Sequence, residues 1–170
     1  MRIFLVGFMG SGKTTIGRQL ARLLDYRFID MDDLIVKNEE MDIPAIFEKK
    51  GESYFRGKEQ NLLHELKHLK NVVISTGGGV PCYFDNMKVI KESGISVYIK
   101  LPAGAIVQRL QNSAGKRPLV ENRNKKDLTD YVKRKLVERE PFYLQADYIV
   151  EGFNLSAEIL AKQIEERCDK

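Results

Sequence analysis

Residues 7–14 read Gly-Phe-Met-Gly-Ser-Gly-Lys-Thr, which matches the phosphate-binding pattern GxxxxGK[ST]. The apolar run Ile3 to Val6 precedes this segment and suits a buried parallel strand. Apolar residues recur at helical spacing from Lys13 to Leu24. Glycines let backbone N–H groups surround a phosphate, and the N-terminus of the following helix points its positive dipole at the same group. A chance glycine-rich turn would lack these flanking elements, so the segment predicts a site for nucleotide phosphates.

Two side chains of this pattern have defined chemistry. Lys13 neutralises the β and γ oxygens of a bound nucleotide, and the Thr14 hydroxyl binds Mg²⁺. The sequence therefore predicts ATP as co-substrate and Mg²⁺ as cofactor.

The remainder of the chain alternates short strands with helices, which favours βαβ units and a parallel sheet. We predict a three-layer α/β/α P-loop fold with a five-stranded parallel sheet, in a single domain over residues 1–170. Two helices between Ile43 and Leu69 form part of an insertion at residues 31–69, and the polar stretch 112–124 is predicted to be a lid. The predicted helices include Tyr83–Glu92, Asp127–Leu144 and Leu155–Cys168. On the second of these, the apolar residues assigned to or near one face are Leu128, Tyr131, Val132, Leu136 and Val137.

The composition is that of an ordinary globular protein, with 170 residues of which 43% are apolar and 31% charged. The net charge is only +4 and the basic residues are spread out, which argues against a nucleic-acid binder. This surplus suits an anionic small substrate or an ordinary solvated surface. Cys82 and Cys168 form no metal or CxxC pattern, and no apolar run reaches the length of a membrane span. We expect a cytoplasmic monomer.

Carboxylates follow the second predicted strand, in Asp30-Met31-Asp32-Asp33. Because the carboxyl ends of parallel strands face the ligand crevice, one carboxylate there could hold Mg²⁺, and another could accept a proton from a hydroxyl nucleophile. Alternatively, these residues cap the next helix. The third strand ends in Ser75-Thr76-Gly77 without an acid, so Asp30 is the nearest candidate metal ligand.

Arginines and glycines supply further candidates. Arg56, Arg117 and Arg139 could bind a carboxylate or phosphate, although a surface position is the ordinary alternative for any one arginine and spacing alone does not select these three. Gly77-Gly78-Gly79 at a strand end indicates either close approach of the backbone to a ligand or a tight turn.

Together these residues resemble the shikimate kinases, a family of the nucleoside-monophosphate-kinase-like P-loop group. The match runs in order over nearly the whole chain. After the phosphate loop it comprises Asp30-x-Asp32, Phe55-Arg56 with Glu59, Gly77-Gly78-Gly79, Arg117-Pro118-Leu119 and Arg139-x-Pro141-x-Tyr143.

The resemblance implies transfer of the γ-phosphoryl group of ATP to the 3-hydroxyl of shikimate, giving shikimate 3-phosphate and ADP in aromatic amino acid (chorismate) biosynthesis. The implied catalytic residues are Lys13, Asp32 and Arg117. Those implied to bind ATP are Gly10, Ser11, Gly12, Lys13, Thr14, Thr15, Arg109 (near adenine) and Arg117.

Shikimate is implied to contact Asp32, Arg56, Gly78, Gly79 and Arg139, and Mg²⁺ to contact Thr14 directly and Asp30 through water. Asp32 would act as base or only orient the hydroxyl. The resemblance also implies that Glu59 holds Arg56 in place and that Phe47 and Phe55 wall the pocket.

The sequence leaves two alternative functions open. One is another small-molecule P-loop kinase, such as a gluconate or nucleoside monophosphate kinase. The other is a nucleotide-binding module without an acceptor substrate; the letters Asn124-Lys125-Lys126-Asp127 match a guanine-reading motif, but they follow the predicted lid instead of a buried strand.

Overall fold

The computed structural model describes residues 1–112 and 125–168, with side chains through residue 166. Its centre is the predicted sheet of five parallel strands, and their order is β2-β3-β1-β4-β5. The strands are β1 Arg2–Val6, β2 Arg27–Asp30, β3 Val72–Ser75, β4 Ile95–Lys100 and β5 Tyr148–Glu151.

Helices cover both faces of this sheet. They are α1 Lys13–Leu23, α2 Met31–Glu39, α3 Ile43–Lys50, α4 Glu52–Leu66, α5 Asn86–Ser93, α6 Ala103–Asn112, α7 Lys125–Tyr143 and α8 Ala157–Cys168. Because side chains alternate along a strand, Ile3 and Leu5 of β1 pack with α1 and α8, whereas Phe4 and Val6 pack with α4 to α7. Each face thereby buries its own apolar cluster, and the three-layer prediction is confirmed.

Helices α2, α3 and α4 lie between β2 and β3, where the insertion was predicted, and a charged network joins them. The Glu39 carboxylate at the end of α2 accepts from Lys50 Nζ of α3 at 2.7 Å and lies 2.9 Å from Lys58 Nζ of α4. The Tyr54 hydroxyl also donates to Glu39, at 2.9 Å. Hydrogen bonds from Lys50, Lys58 and Tyr54 lower the pKa of Glu39 to about 2. The network therefore stays ionised and links the ends of three helices.

The predicted helix Tyr83–Glu92 is wrong at its start. Val80–Cys82 form a 3₁₀ turn, and α5 begins only at Asn86. Phe84 has φ 52°, in the left-handed region, so a right-handed helix cannot pass through it.

On α7 the predicted apolar face is correct except at Val137, whose exposed fraction is 77%. At about 100° per residue, Val137 lies about 180° around the helix from the buried Leu128. Arg139 and Tyr143 fall on the same side as Leu128 by the same count, which directs the end of α7 toward the sheet.

Within residues 1–112 and 125–168, no helix combines the length and the apolar character needed to cross a membrane.

Candidate active site

The carboxyl ends of β1, β2 and β3 bring the predicted site residues to one edge of the sheet. Ser75 at the end of β3 is in register with Leu5 of β1 on one side and with Asp30 of β2 on the other. The phosphate loop after β1, Asp30 and the glycines after β3 therefore adjoin. Ligands bind at this edge in open α/β sheets.

Backbone geometry shapes the phosphate loop. Gly7 has φ 140°, and a Cβ there would lie 2.8 Å from the Ile99 carbonyl oxygen, so a larger residue would not fit. The Lys13 Nζ donates to the carbonyls of Gly7 at 2.8 Å and Phe8 at 2.9 Å, which stretches the lysine across its own loop. The Ser11 side chain is buried within this loop.

Thr14 and Asp30 form an oxygen pair beside this loop. The Thr14 hydroxyl donates to Asp30 Oδ2 at 2.7 Å, and Asp30 Oδ1 accepts from the Asp32 N–H at 3.1 Å. Asp30 thus caps α2, as the alternative interpretation held, and also lies against the loop threonine. Mg²⁺ prefers oxygen ligands and is usually held by one or two protein oxygens together with phosphates and water, so this pair fits it. No group of three or more His, Cys, Asp or Glu side chains among the described residues forms a separate metal site.

The three glycines after β3 each leave room for a different charged side chain. A Cβ on Gly77 would lie 2.5 Å from Asp32 Oδ1 and 2.8 Å from Glu59 Oε1. On Gly78 it would lie 3.5 Å from Arg139 Nη1 and 3.2 Å from the Met9 backbone nitrogen of the phosphate loop.

A Cβ on Gly79 would overlap the guanidinium of Arg56. The glycine segment therefore brings together Asp32, Glu59, Arg56 and Arg139 next to the phosphate loop. These side chains come from the insertion and from α7.

Arg56 is buried on α4 and is held on several sides. Its Nη1 donates to Glu59 Oε2 at 2.7 Å, while Nε and Nη2 donate to Glu52 Oε1 at 3.2 and 3.0 Å. The guanidinium carbon lies 4.2 Å from the centre of the Tyr83 ring and 5.4 Å from that of Phe55. These carboxylates and aromatic rings together fix the plane of the cation.

Glu59 is a carboxyl of this cluster whose pKa is strongly shifted. Burial raises its pKa to about 7, although the nearby guanidinium of Arg56 opposes that shift. The charge of Asp32 raises the pKa further, and Arg139 lowers it. The pKa of Glu59 therefore depends on the charges of Arg56, Asp32 and Arg139.

Arg139 and Tyr143 approach the glycines from α7. The Arg139 guanidinium carbon lies 5.5 Å from the ring centre of Phe8 in the phosphate loop. The Tyr143 hydroxyl donates to the Gly78 carbonyl at 2.5 Å, and burial raises the pKa of Tyr143 far above its usual value, so it remains a donor. Pro141 lies inside the helix between them. The hydrogen bond from Tyr143 attaches the end of α7 to the backbone of the glycine segment.

Arg109 of α6 lies on the outer side of the phosphate loop. Its Nη1 donates to the Ser11 carbonyl at 2.9 Å, and its Nη2 donates to the Gly152 carbonyl at 3.2 Å. The guanidinium therefore bridges the phosphate loop and the segment that follows β5.

Comparisons with known proteins agree with this geometry. The family model described as shikimate kinase matches residues 9–169. A shikimate kinase from Bacteroides thetaiotaomicron is 41% identical over 149 residues, covering 88% of this chain and 85% of the relative. The chain belongs to the shikimate kinase family.

Solved structures of shikimate kinases have the same fold. A crystal structure of shikimate kinase from Bacteroides thetaiotaomicron aligns with a TM-score of 0.92 and 37% identity, covering 100% of this chain and 99% of that one. Shikimate kinase from Acinetobacter baumannii in complex with shikimate aligns with a TM-score of 0.86 and 38% identity, covering 98% and 92%. Shikimate kinases are ATP-dependent phosphotransferases that act on a shikimate hydroxyl.

Most residues assigned through the shikimate kinase resemblance lie together at this edge. Arg117 and residues 113–124 of the predicted lid lie outside the described residues, so their assignment remains a prediction. Glu52 and Tyr83 both contact Arg56 and were not predicted as site residues from the sequence. The i,i+4 spacing of Glu52 and Arg56 was a usable signal, whereas nothing local connects Tyr83 to α4.

Proposed function

We propose that this protein transfers the γ-phosphoryl group of ATP to the 3-hydroxyl of shikimate, giving shikimate 3-phosphate and ADP. The observation that carries the proposal is the glycine segment, around which two arginines and an aspartate converge beside a phosphate loop. Two guanidinium groups suit a planar carboxylate, and an aspartate suits a hydroxyl. Shikimate carries both groups.

The phosphate side of the site, residues 7–15, would bind ATP. Backbone N–H groups from Gly10 to Thr15 and the N-terminus of α1 would surround the β- and γ-phosphates. Lys13 would exchange its bonds to the Gly7 and Phe8 carbonyls for phosphate oxygens and neutralise charge on the transferring group. Arg109 would lie beside the adenine end.

Thr14 and Asp30 would hold Mg²⁺, Thr14 directly and Asp30 through water. When bound, the ion supplies positive charge to the phosphate oxygens of the nucleotide. The other oxygen of Asp30, Oδ1, accepts from the Asp32 N–H, and this bond aligns the start of α2 with the phosphate side.

The acceptor side comprises Asp32, Arg56, Glu59, Gly77–Gly79 and Arg139. Arg56 and Arg139 would bind the shikimate carboxylate, and Glu59 would hold Arg56 in position. The N–H groups of Gly78 and Gly79 would donate to the substrate, and Phe47 and Phe55, whose ring centres are 4.9 Å apart, would wall the pocket.

In the transfer step, the 3-hydroxyl oxygen forms a bond to the γ-phosphorus as the bond to the β,γ-bridging oxygen breaks. ADP leaves with that electron pair, and Asp32 receives the hydroxyl proton or orients the hydroxyl for attack. Phosphoryl transfer needs alignment and charge stabilisation more than covalent help from the protein. Arg117 would add charge stabilisation from the lid. We expect the protein to act as a cytoplasmic monomer.

A coupled ADP-release assay tests the proposal. With ATP and Mg²⁺, ADP release should depend on shikimate and should not occur with gluconate or nucleoside monophosphates. Binding of ATP without shikimate-dependent release would keep the nucleotide site and contradict the acceptor assignment.

A further inference from the structure

The carboxylate of Glu52 occupies one complete edge of the Arg56 guanidinium. Its Oε1 accepts from both Nε and Nη2, at 3.2 and 3.0 Å, and these two N–H groups form one of the two edges with which arginine binds a carboxylate in a bidentate manner. Nη1 of the same guanidinium donates to Glu59 at 2.7 Å. An incoming carboxylate therefore meets an arginine whose side edge is already occupied.

The two acids bound to Arg56 differ in burial. The Glu59 side chain is 2% exposed, whereas the Glu52 side chain is 53% exposed at the first turn of α4. A Glu52 carboxylate released from Arg56 would be solvated, whereas a released Glu59 carboxylate would remain buried. Glu59 is therefore a fixed support of Arg56, whereas a bound ligand could replace Glu52 at the guanidinium edge.

Tyr83 holds Glu52 in place. Its hydroxyl donates at 2.8 Å to the same oxygen, Oε1, that Arg56 binds, and its ring lies 4.2 Å from the guanidinium carbon. The bond from Tyr83 and then that from Arg56 lower the pKa of Glu52, so it carries its charge at neutral pH. The contact is thus between a full negative charge and the cation.

We propose that Glu52 is an internal competitor for the substrate carboxylate at Arg56, so that it lowers the apparent affinity for anionic acceptors. The proposal rests on the proposed function, in which Arg56 binds the shikimate carboxylate. A carboxylic acid that displaces Glu52 replaces one charged partner of Arg56 by another, whereas an acceptor without a carboxylate does not compete for this edge. Glu52 therefore lowers the apparent affinity for every acceptor whose carboxylate must take this edge of Arg56.

The first test is the acceptor KM of Glu52→Gln, which keeps the shape of the side chain and removes its charge. We expect the KM for shikimate to fall about three- to tenfold, because apparent affinity is reduced by the fraction of the protein in which the edge is free. The KM for ATP should stay within twofold. Glu65→Gln, an exposed position on the same helix, is the matched control for loss of one charge and should leave both values unchanged. An unchanged or higher KM for shikimate in Glu52→Gln would overturn the proposal.

A second variant separates competition from structural damage. Tyr83→Phe keeps the ring against Arg56 and removes only the hydroxyl that holds Glu52, so it should lower the KM for shikimate in the same direction by a smaller factor. A higher KM in Tyr83→Phe would mean that the Glu52 contact helps binding, which contradicts competition.

The Nε–H signal of Arg56 in ¹H–¹⁵N NMR spectra gives a readout independent of turnover, and Arg56→Lys assigns it. We expect this signal to differ between the wild-type protein and Glu52→Gln, and to move in the wild-type protein when shikimate is added. An identical signal in the two proteins would overturn the inference whatever the substrate. Absence of shikimate-dependent ADP release from the wild-type protein would instead contradict the proposed function.

Discussion

The phosphate side and the acceptor side of the site are constructed differently. The phosphate side is one continuous segment whose own carbonyls hold Lys13 and whose geometry depends on glycine backbone. The acceptor side is assembled from side chains of α2, α4 and α7 around the glycines after β3. The first is determined by local backbone conformation, and the second depends on tertiary packing. Mutations on the phosphate side should therefore mainly lower kcat, and mutations on the acceptor side should mainly raise the KM for shikimate.

The largest effect is expected from Lys13→Ala on the phosphate side. Loss of the cation that stabilises the transferring phosphoryl group should lower kcat by about 10³-fold or more. Coupled ADP release gives kcat, and circular dichroism melting checks that the fold survives. Lys91→Ala, an exposed lysine on α5, is the control. Turnover within tenfold of the wild-type value would remove the catalytic role of Lys13.

On the acceptor side, Arg139→Ala should raise the KM for shikimate by about 100-fold, the cost of losing strong hydrogen bonds to a charged group. The KM for ATP should change less than about threefold. Arg134→Ala on the same helix, at an exposed position, is the matched control. Equal increases in both KM values would show that the two sides are not separable in this way.

Gly79→Ala sharpens the comparison without removing a charge. The backbone at Gly79 has φ −90°, which alanine adopts freely, but its Cβ would overlap the pinned guanidinium of Arg56. We expect the KM for shikimate to rise about tenfold, equivalent to about 1.4 kcal/mol.

Gly57→Ala is the control on α4, since a Cβ there meets nothing within 4 Å. It should leave KM unchanged and raise the free energy of unfolding by about 0.5–1 kcal/mol. A Gly79→Ala protein with the KM of Gly57→Ala would contradict the close packing of Arg56.

The last prediction concerns the stability contributed by Glu59. Its pKa is about 7 in the folded protein against an ordinary value of 4.5, so the folded state holds this proton more tightly than the unfolded state. That contribution is complete below pH 4.5 and is lost as pH rises through 7. Between these limits, the free energy of unfolding of the wild-type protein should fall relative to Glu59→Gln by on the order of 1 kcal/mol per pH unit. Urea unfolding at pH 5.5, 6.5 and 7.5 measures it, and a difference that is constant with pH would count against the raised pKa.

The same contrast explains what the sequence could predict. The phosphate loop follows from consecutive residues: the loop pattern, the apolar strand before it and the helix after it. The alternation of short strands with helices predicts the parallel sheet. The helix predicted from Tyr83 failed because Phe84 adopts a left-handed conformation that its residue type does not signal. Val137 was misplaced because its position around α7 depends on counting turns, not on its hydrophobicity.

The acceptor residues needed more than local pattern. Spacing alone did not distinguish Arg56 and Arg139 from the other basic residues, and only resemblance to a family selected them. Glu52 escaped even that, because its importance comes from sharing one oxygen between Arg56 and Tyr83, which lie 27 residues apart in sequence (83 − 56). Contacts of this kind arise only when the helices and the turn after β3 are packed.

The Glu39 network gives the insertion its own response to ionic strength. Charged contacts among Glu39, Lys50 and Lys58 link α2, α3 and α4, and dissolved salt screens the exposed parts of such contacts. Backbone hydrogen bonds in the central strands have no such dependence. We expect amide hydrogen exchange in residues 31–66 to quicken between 0.05 and about 0.5 M KCl, where the Debye length shortens from roughly 14 to 4 Å, while exchange in β1 and β3 stays constant. In a cell that accumulates salt, the half of the molecule that selects the acceptor would then loosen before the half that binds phosphate.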